Sequence, residues 1–171
     1  LASGLMKEGI KVLLVDADLE FGDVGAFLAL NATSTIAELA STADDLDTDF
    51  FGNIVMTHNS GLKALLAPPR PDRAAEIREN YPDAVASILS QVAQSYDFVV
   101  VDAGKSLDSV TISLLDLASK IVLVTNPTLP AVKNTKLALD VFDQLGYPTE
   151  KTLLVLNKVS EDRNTRKATL G

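Results

Sequence analysis

The sequence has no cysteine, one histidine, and three tyrosines set far apart. Without thiols there is no disulfide and no thiolate metal site, and a reducing compartment is the natural setting. His58 stands alone, with no serine or carboxylate at a spacing that makes a triad, so it reads as a turn residue. Tyr81, Tyr96 and Tyr147 are too scattered to form a platform on which bases could stack. Positive charge is also scarce: 15 lysines and arginines face 23 acidic residues, for a formal charge of −8. That balance argues against a broad nucleic-acid footprint, which needs clustered Lys and Arg. The nearest cluster, Arg163, Arg166 and Lys167, reads as a solvated helix face. The apolar runs are far shorter than a membrane span and no signal peptide is visible, so a cytoplasmic protein is the default expectation.

What is present is an ordinary globular composition, 47% hydrophobic and 22% charged over 171 residues, enough for one compact domain spanning 1–171. Four runs dominate it: Val12–Val15, Phe98–Val101, Ile121–Val124 and Leu153–Leu156. Each is four consecutive apolar residues without polar alternation, the pattern of strands buried on both faces of a parallel sheet. Between them the spacing turns helical. Val85, Ile88, Leu89 and Val92 share one helix face after Pro82. Ala138, Val141, Phe142 and Leu145 share another, closed by Gly146, and a further helix is expected over about 109–118. Strand alternating with helix predicts an α/β fold, doubly wound, with a mostly parallel sheet and helices on both faces.

The stretch from Leu19 to Pro71 is less regular. Thr35 and Glu38 form a capping box for a short helix. Asp44, Asp45, Asp47 and Asp49 read as a solvated loop or helix end. Ile54–Met56 and Leu62–Leu66, joined by His58-Asn59-Ser60-Gly61, read as a hairpin or a strand after a turn. The chain opens at Leu1, inside what looks like a helix through Met6 with Gly9 as its cap. We therefore expect a fragment.

Ligands of open parallel sheets gather beyond the carboxyl ends of the strands. There the four runs lead into Asp16 and Asp18, Asp102, Thr125-Asn126, and Asn157. Two chemistries use such a set. A receiver-type signalling domain would recruit Asp16, Asp18, Asp102, Thr125 and Lys158, but Asp18 and Asp102 lie 84 residues apart and Val159 follows the lysine. That interval is about twice the receiver spacing. The other chemistry is a nucleoside triphosphatase, in which carboxylates organise a magnesium shell and an attacking water.

The order of the motifs favours the second. Gly9 through Leu19, with Asp16-Ala17-Asp18 at its end, resembles the segment after the phosphate loop in the MinD/ParA family of deviant Walker A P-loop ATPases. Phe98–Asp102 resembles that family's Walker B strand, and Leu156-Asn157-Lys158 its base-recognition strand. Within the family, Asp16 through Val24, Ser60-Gly61-Leu62 with Leu66 through Pro71, and Leu129 through Asn134 resemble the Tad/Flp pilus-assembly ATPases of the CpaE/TadZ type. The likeness runs from Leu1 to about Lys158.

The resemblance implies a P-loop fold whose first strand and phosphate loop would precede Leu1, so that this chain alone would be inactive, with ATP and magnesium as cofactors and a homodimer acting in pilus assembly or polar localisation. Such a protein would work in the cytoplasm, at the inner face of the membrane or the cell pole, with any membrane attachment made by parts outside this chain. It assigns Asp16 and Asp18 to the γ-phosphate side, Asp102 to magnesium through water, and Asn157 to adenine. Gly104 would approach the γ-phosphate. Bland alternatives stand beside these roles: Asp16 and Asp102 as strand ends, Asn157 as a turn former, Asp18 as a helix cap. Gly104-Lys105-Ser106 is not a P-loop, because the glycine required five residues earlier is Val99, inside a strand. A non-hydrolysing localisation scaffold and a chromosome- or plasmid-partitioning ATPase are the alternative functions.

Overall fold

The computed structural model describes residues 1–31 and 33–159. The basic cluster at Arg163, Arg166 and Lys167 lies outside them. The chain divides into two compact units, Leu1–Leu117 and Ala118–Gly171.

The first unit is built round β1 (Val12–Ala17), which runs parallel to β3 (Lys63–Leu65) on one side and to β4 (Phe98–Ala103) on the other. A short β2 (Met56–Thr57) adds antiparallel to β3, giving the order β2-β3-β1-β4. Leu13, Val15 and Ala17 point to one face of β1, against α3 (Ile36–Ala40), α5 (Pro71–Asn80), α6 (Ala84–Val92) and α7 (Ser109–Leu117). Val12 and Leu14 point to the other, against α1 (Ala2–Leu5) and α2 (Val24–Phe27). Period-two alternation is what allows one strand to serve two layers. Each fully buried Leu or Val contributes about 1.5–3 kcal/mol, so β1 is the strand least able to move.

The register of β1 and β4 is pinned at its start. The Lys11 N–H donates to Asp97 Oδ2 at 2.7 Å, and the Asp97 N–H donates to the Lys11 carbonyl at 2.9 Å. Six register pairs follow, from Val12 with Phe98 through Asp16 with Asp102 to Ala17 with Ala103.

Local signals in the sequence found their elements. The capping box at Thr35 is complete in both directions, α7 covers Ser109–Leu117, and Gly61 at φ +88° turns the hairpin. Others were missed. Ile54 ends α4 (Thr48–Ile54) rather than opening a strand, although the acidic run does mark a helix end, with Asp47 accepting from the Asp49 and Phe50 N–H groups. Pro71 opens α5 at its first turn. Gly9, at φ +80°, turns the chain into β1, while α1 already ends at Met6.

The second unit holds β5 (Ile121–Thr125) and β6 (Thr152–Leu156), parallel and in register, with α8 (Leu129–Gln144) between them in sequence. Gly146, at φ +76°, ends that helix as expected. Phe142 is its buried residue and meets the Tyr147 ring at 5.8 Å.

Burial corrects one expectation. Of the four apolar runs, Val12–Val15 is the one buried on both faces; β4 is half-exposed, and β6 is open along its length, with Leu154 56% exposed. β1 is flanked on both edges and covered on both faces, as is the short β3, whereas β4, β5 and β6 are edge strands of their ladders.

Candidate functional site

The strand order reverses beside β1. From β1 the chain passes to the β3 side, then crosses back to β4 on the opposite side. Such a switch point opens a crevice at the carboxyl ends of the two strands. Asp16 and Asp102 are register partners there, and Gly104 follows one residue after β4.

The two carboxylates have unlike surroundings. Asp16 is 1% exposed. Its Oδ2 accepts from the Val24 N–H at 3.1 Å, while its Oδ1 has no hydrogen-bond partner. Burial pushes its carboxyl up to about 6; the Val24 N–H opposes that shift and the charge of Asp102 adds to it. Asp102 is exposed as a residue, yet its carboxyl is also raised, first by lost hydration against the sheet and then by Asp18 and Asp23. Lost hydration is the main cause at both carboxyls, and the like charges gathered here add to it.

β1 stops at Ala17, so Asp18 leaves the extended course instead of continuing the alternation. Its Oδ1 accepts from the Phe21 N–H at 3.0 Å and from the Glu20 N–H at 3.3 Å, an Asx turn that begins the loop to α2. Asp18 is therefore not the cap of α2, which starts after Asp23. Gly104 lies alongside it: a Cβ added there would lie 3.5 Å from the Asp18 carboxyl carbon. A cleft of about 290 Å³ opens beside them, lined among others by Arg78, Lys105, Ser106 and Thr111. Arg78 is tied to Glu20 at 2.6 Å.

Two residues here went without a role in the sequence reading. Gly22 lies so close to Asp16 that a Cβ would sit 2.7 Å from Oδ2 and 2.6 Å from the Ala67 Cβ. Asp23 adds its charge to Asp102. Gly22 was visible only as part of the Asp16–Val24 motif, and nothing local requires glycine there.

Asn157 follows β6 in the second unit and is exposed. Its N–H donates to the Thr125 carbonyl at 2.7 Å, and its Oδ1 accepts from the Lys158 N–H at 2.8 Å, with Lys158 at φ +54°. His58 is the turn residue expected, its Nδ1 accepting from the Ser60 N–H at 3.2 Å.

No three carboxylates or histidines among the described residues converge closely enough to ligate a metal directly. Magnesium does not require that, because it retains several waters and takes one or two carboxylates. The open carboxylate of Asp102 suits such a water-mediated shell, whereas both oxygens of Asp16 are sealed beneath the following loop. Among the described residues no helix is long and apolar enough to cross a membrane.

Comparison with known proteins agrees with this fold. A family model described as an AAA domain matches residues 1–153. An uncharacterized ATP-binding protein of Methanocaldococcus jannaschii is 24% identical over 163 residues, covering 95% of this chain and 58% of that protein. The septum site-determining protein MinD of Thermotoga maritima is 21% identical over 158 residues, covering 92% and 56%. The chain thus spans little more than half the length of these curated relatives. Among solved structures, a ParA family ATPase from Chlorobium tepidum superposes with a TM-score of 0.85 at 26% identity, covering 96% of this chain and 68% of that one. MinD of Pyrococcus horikoshii, complexed with Mg-ADP, has a TM-score of 0.65 at 19% identity, covering 86% and 56%. With a doubly wound sheet, an acidic switch point and a match over nine-tenths of its length, this chain belongs to the AAA-domain family, of the MinD/ParA type.

Proposed function

We propose that this chain is the core of an ATPase that binds and hydrolyses ATP with magnesium, and uses that cycle to make and break a homodimer. Its cellular task, on the CpaE/TadZ resemblance, is Tad/Flp pilus assembly or the placement of that machinery at a pole. The observation that carries the reading is the acidic switch point, where Asp102 stands open at the end of β4 and Asp18 borders the space beside Gly104.

In this reading Asp102 holds magnesium through water, as a hard cation prefers. Asp18, solvated and fixed at the mouth of the cleft, holds the attacking water. Gly104 leaves room for a phosphate oxygen next to that carboxylate. Asn157 offers its side-chain amide to the adenine edge, where an amide can accept and donate at once. The bound Mg-ATP supplies the electrophilic phosphorus and the charge neutralisation on which phosphoryl transfer depends.

The test uses protein expressed from the complete reading frame of the gene. ATP turnover, together with sedimentation as a dimer in ATP and as a monomer in ADP, is the expected result. Nucleotide binding without turnover would replace the switch with a localisation scaffold. DNA binding that weakens steeply with salt would move the protein to partitioning.

A further inference from the structure

The loop from Asp18 to Val24 is clamped at both ends by carboxylates, and the two clamps differ in kind. At its start Asp18 Oδ1 holds the Glu20 and Phe21 N–H groups, a local turn that any Asp or Asn can make. At its end Asp16, fixed on the most buried strand, reaches eight residues along the chain to the Val24 N–H. That N–H opens α2, so it is one of the donors a helix leaves unpaired at its first turn. Gly22 seals the same junction, its α-carbon pressed between the Asp16 carboxylate and the Ala67 methyl. Ala67 is itself buried, so neither neighbour can retreat. The loop also carries Phe21, 77% exposed, and Glu20, which holds Arg78. Leu19 also anchors the loop in the main core and Val24 packs with Ala64 and Leu66, while the hydrogen bond that ties its far end to β1 is the one to Asp16.

We propose that Asp16 is a positioning residue: it holds the Asp18–Val24 loop, and with it the Asp18 carboxylate, through the Val24 N–H and the contact with Gly22. This deepens the ATPase reading by separating the two aspartates. Asp18 is the group turned toward substrate; Asp16 acts on the loop, and needs an acceptor oxygen there rather than a negative charge. An amide oxygen accepts from the Val24 N–H as a carboxylate does. Asp16→Asn therefore keeps the anchor, Asp16→Ala removes it, and Gly22→Ala breaks it from the other side with no change of charge.

The first measurement is amide hydrogen exchange in this chain, with circular dichroism as the check that each variant is folded. Asp16→Ala should speed exchange at Val24 by about tenfold, the scale of one lost buried hydrogen bond. Gly22→Ala should do the same, and Asp16→Asn should match the parent. Because both substitutions break one device, the double variant Asp16→Ala with Gly22→Ala should exchange no faster than either alone. Protection of Val24 that survives Asp16→Ala would overturn the proposal. Should Asp16→Ala fail to fold, the Asn and Gly22 variants decide the matter without it.

The second measurement is turnover in protein from the complete reading frame. Asp16→Asn should retain it within severalfold, while Gly22→Ala loses it. Abolition of turnover by Asp16→Asn with Val24 still protected would make Asp16 a group that acts on the nucleotide or its metal, and would overturn the proposal. If the parent has no turnover, the ATPase reading fails, and the exchange measurement still decides whether Asp16 anchors the loop.

Discussion

Asp16 and Asp102 stand side by side in adjacent parallel strands, yet one carboxylate is sealed from solvent and the other is open to it. The difference arises from what covers each strand end. The loop through Gly22 folds back over Asp16, whereas Asp102 stands exposed at the end of β4 among the described residues.

The buried carboxyl makes stability depend on pH. Asp16 ionises at about 6 in the folded chain, above the ordinary 3.8. The folded state therefore holds this proton more tightly than the unfolded state does. Stability contributed by the protonated form is fully present below about pH 4, falls as the pH rises, and is gone above about pH 6. Asp16→Asn cannot ionise and escapes that loss. Its stability relative to the parent should grow by about 2 kcal/mol between pH 4 and pH 7.5. Urea unfolding at the two pH values measures this; parallel stabilities would show that Asp16 is not buried as a charge.

Thr35 gives a prediction independent of the site. Its hydroxyl accepts from the Ala37 N–H at 3.3 Å, and its own N–H donates to Glu38 Oε2 at 2.6 Å. The residue is buried, so water cannot take over the lost bond. Thr35→Ala should lower stability by about 1–2 kcal/mol. An unchanged urea midpoint would mean that the neighbouring contacts of α3 hold it without the cap.

Much of this architecture was legible because its signals are local. The run Val12–Val15, the capping box at Thr35 and the stop at Gly146 each depend on residues within one turn or strand. The elements missed, α4 and α5, are polar sequences anchored by few buried residues: Phe51 and Ile54 in one, Ala74 and Ile77 in the other. Their hydrophobic periodicity is too thin to read without the sheet they cover. At the site, strand-end placement marked Asp16, Asp18 and Asp102. The roles of Gly22 and the Val24 N–H were not legible, because they arise where a loop returns across eight residues to a buried strand. Nor could apolar composition reveal that β5 and β6 have open faces, since exposure depends on what packs against them.

Asn157 is open to test by comparing two ligands. Its side chain lies at the end of β6, where the resemblance sets the adenine edge. In protein from the complete reading frame, Asn157→Ala should weaken ATP binding more than it weakens binding of pyrophosphate, which has no base. Equal losses for both ligands would show that Asn157 shapes the turn through Lys158 and does not touch the base.

Asp18 bears the largest functional claim, and its geometry makes the test a clean one. The residue does two things in this structure: Oδ1 holds the turn at Glu20 and Phe21, and the carboxylate faces Gly104 at the mouth of the cleft. Asn retains an acceptor oxygen for the turn and loses the negative charge. Asp18→Asn therefore separates folding from chemistry. A group that orients the attacking water acts on the transition state more than on the bound nucleotide, so its loss lowers turnover and leaves affinity nearly intact. In protein from the complete reading frame, Asp18→Asn should cut turnover by roughly a hundredfold or more, the range of a positioned acid or base. ATP affinity should change only severalfold, and the ATP-bound dimer should persist in sedimentation. Steady-state turnover, nucleotide titration and sedimentation in ATP measure the three quantities. Unchanged turnover would reduce Asp18 to a turn residue and favour the scaffold; loss of affinity equal to the loss of turnover would place its charge on the bound magnesium instead of the water.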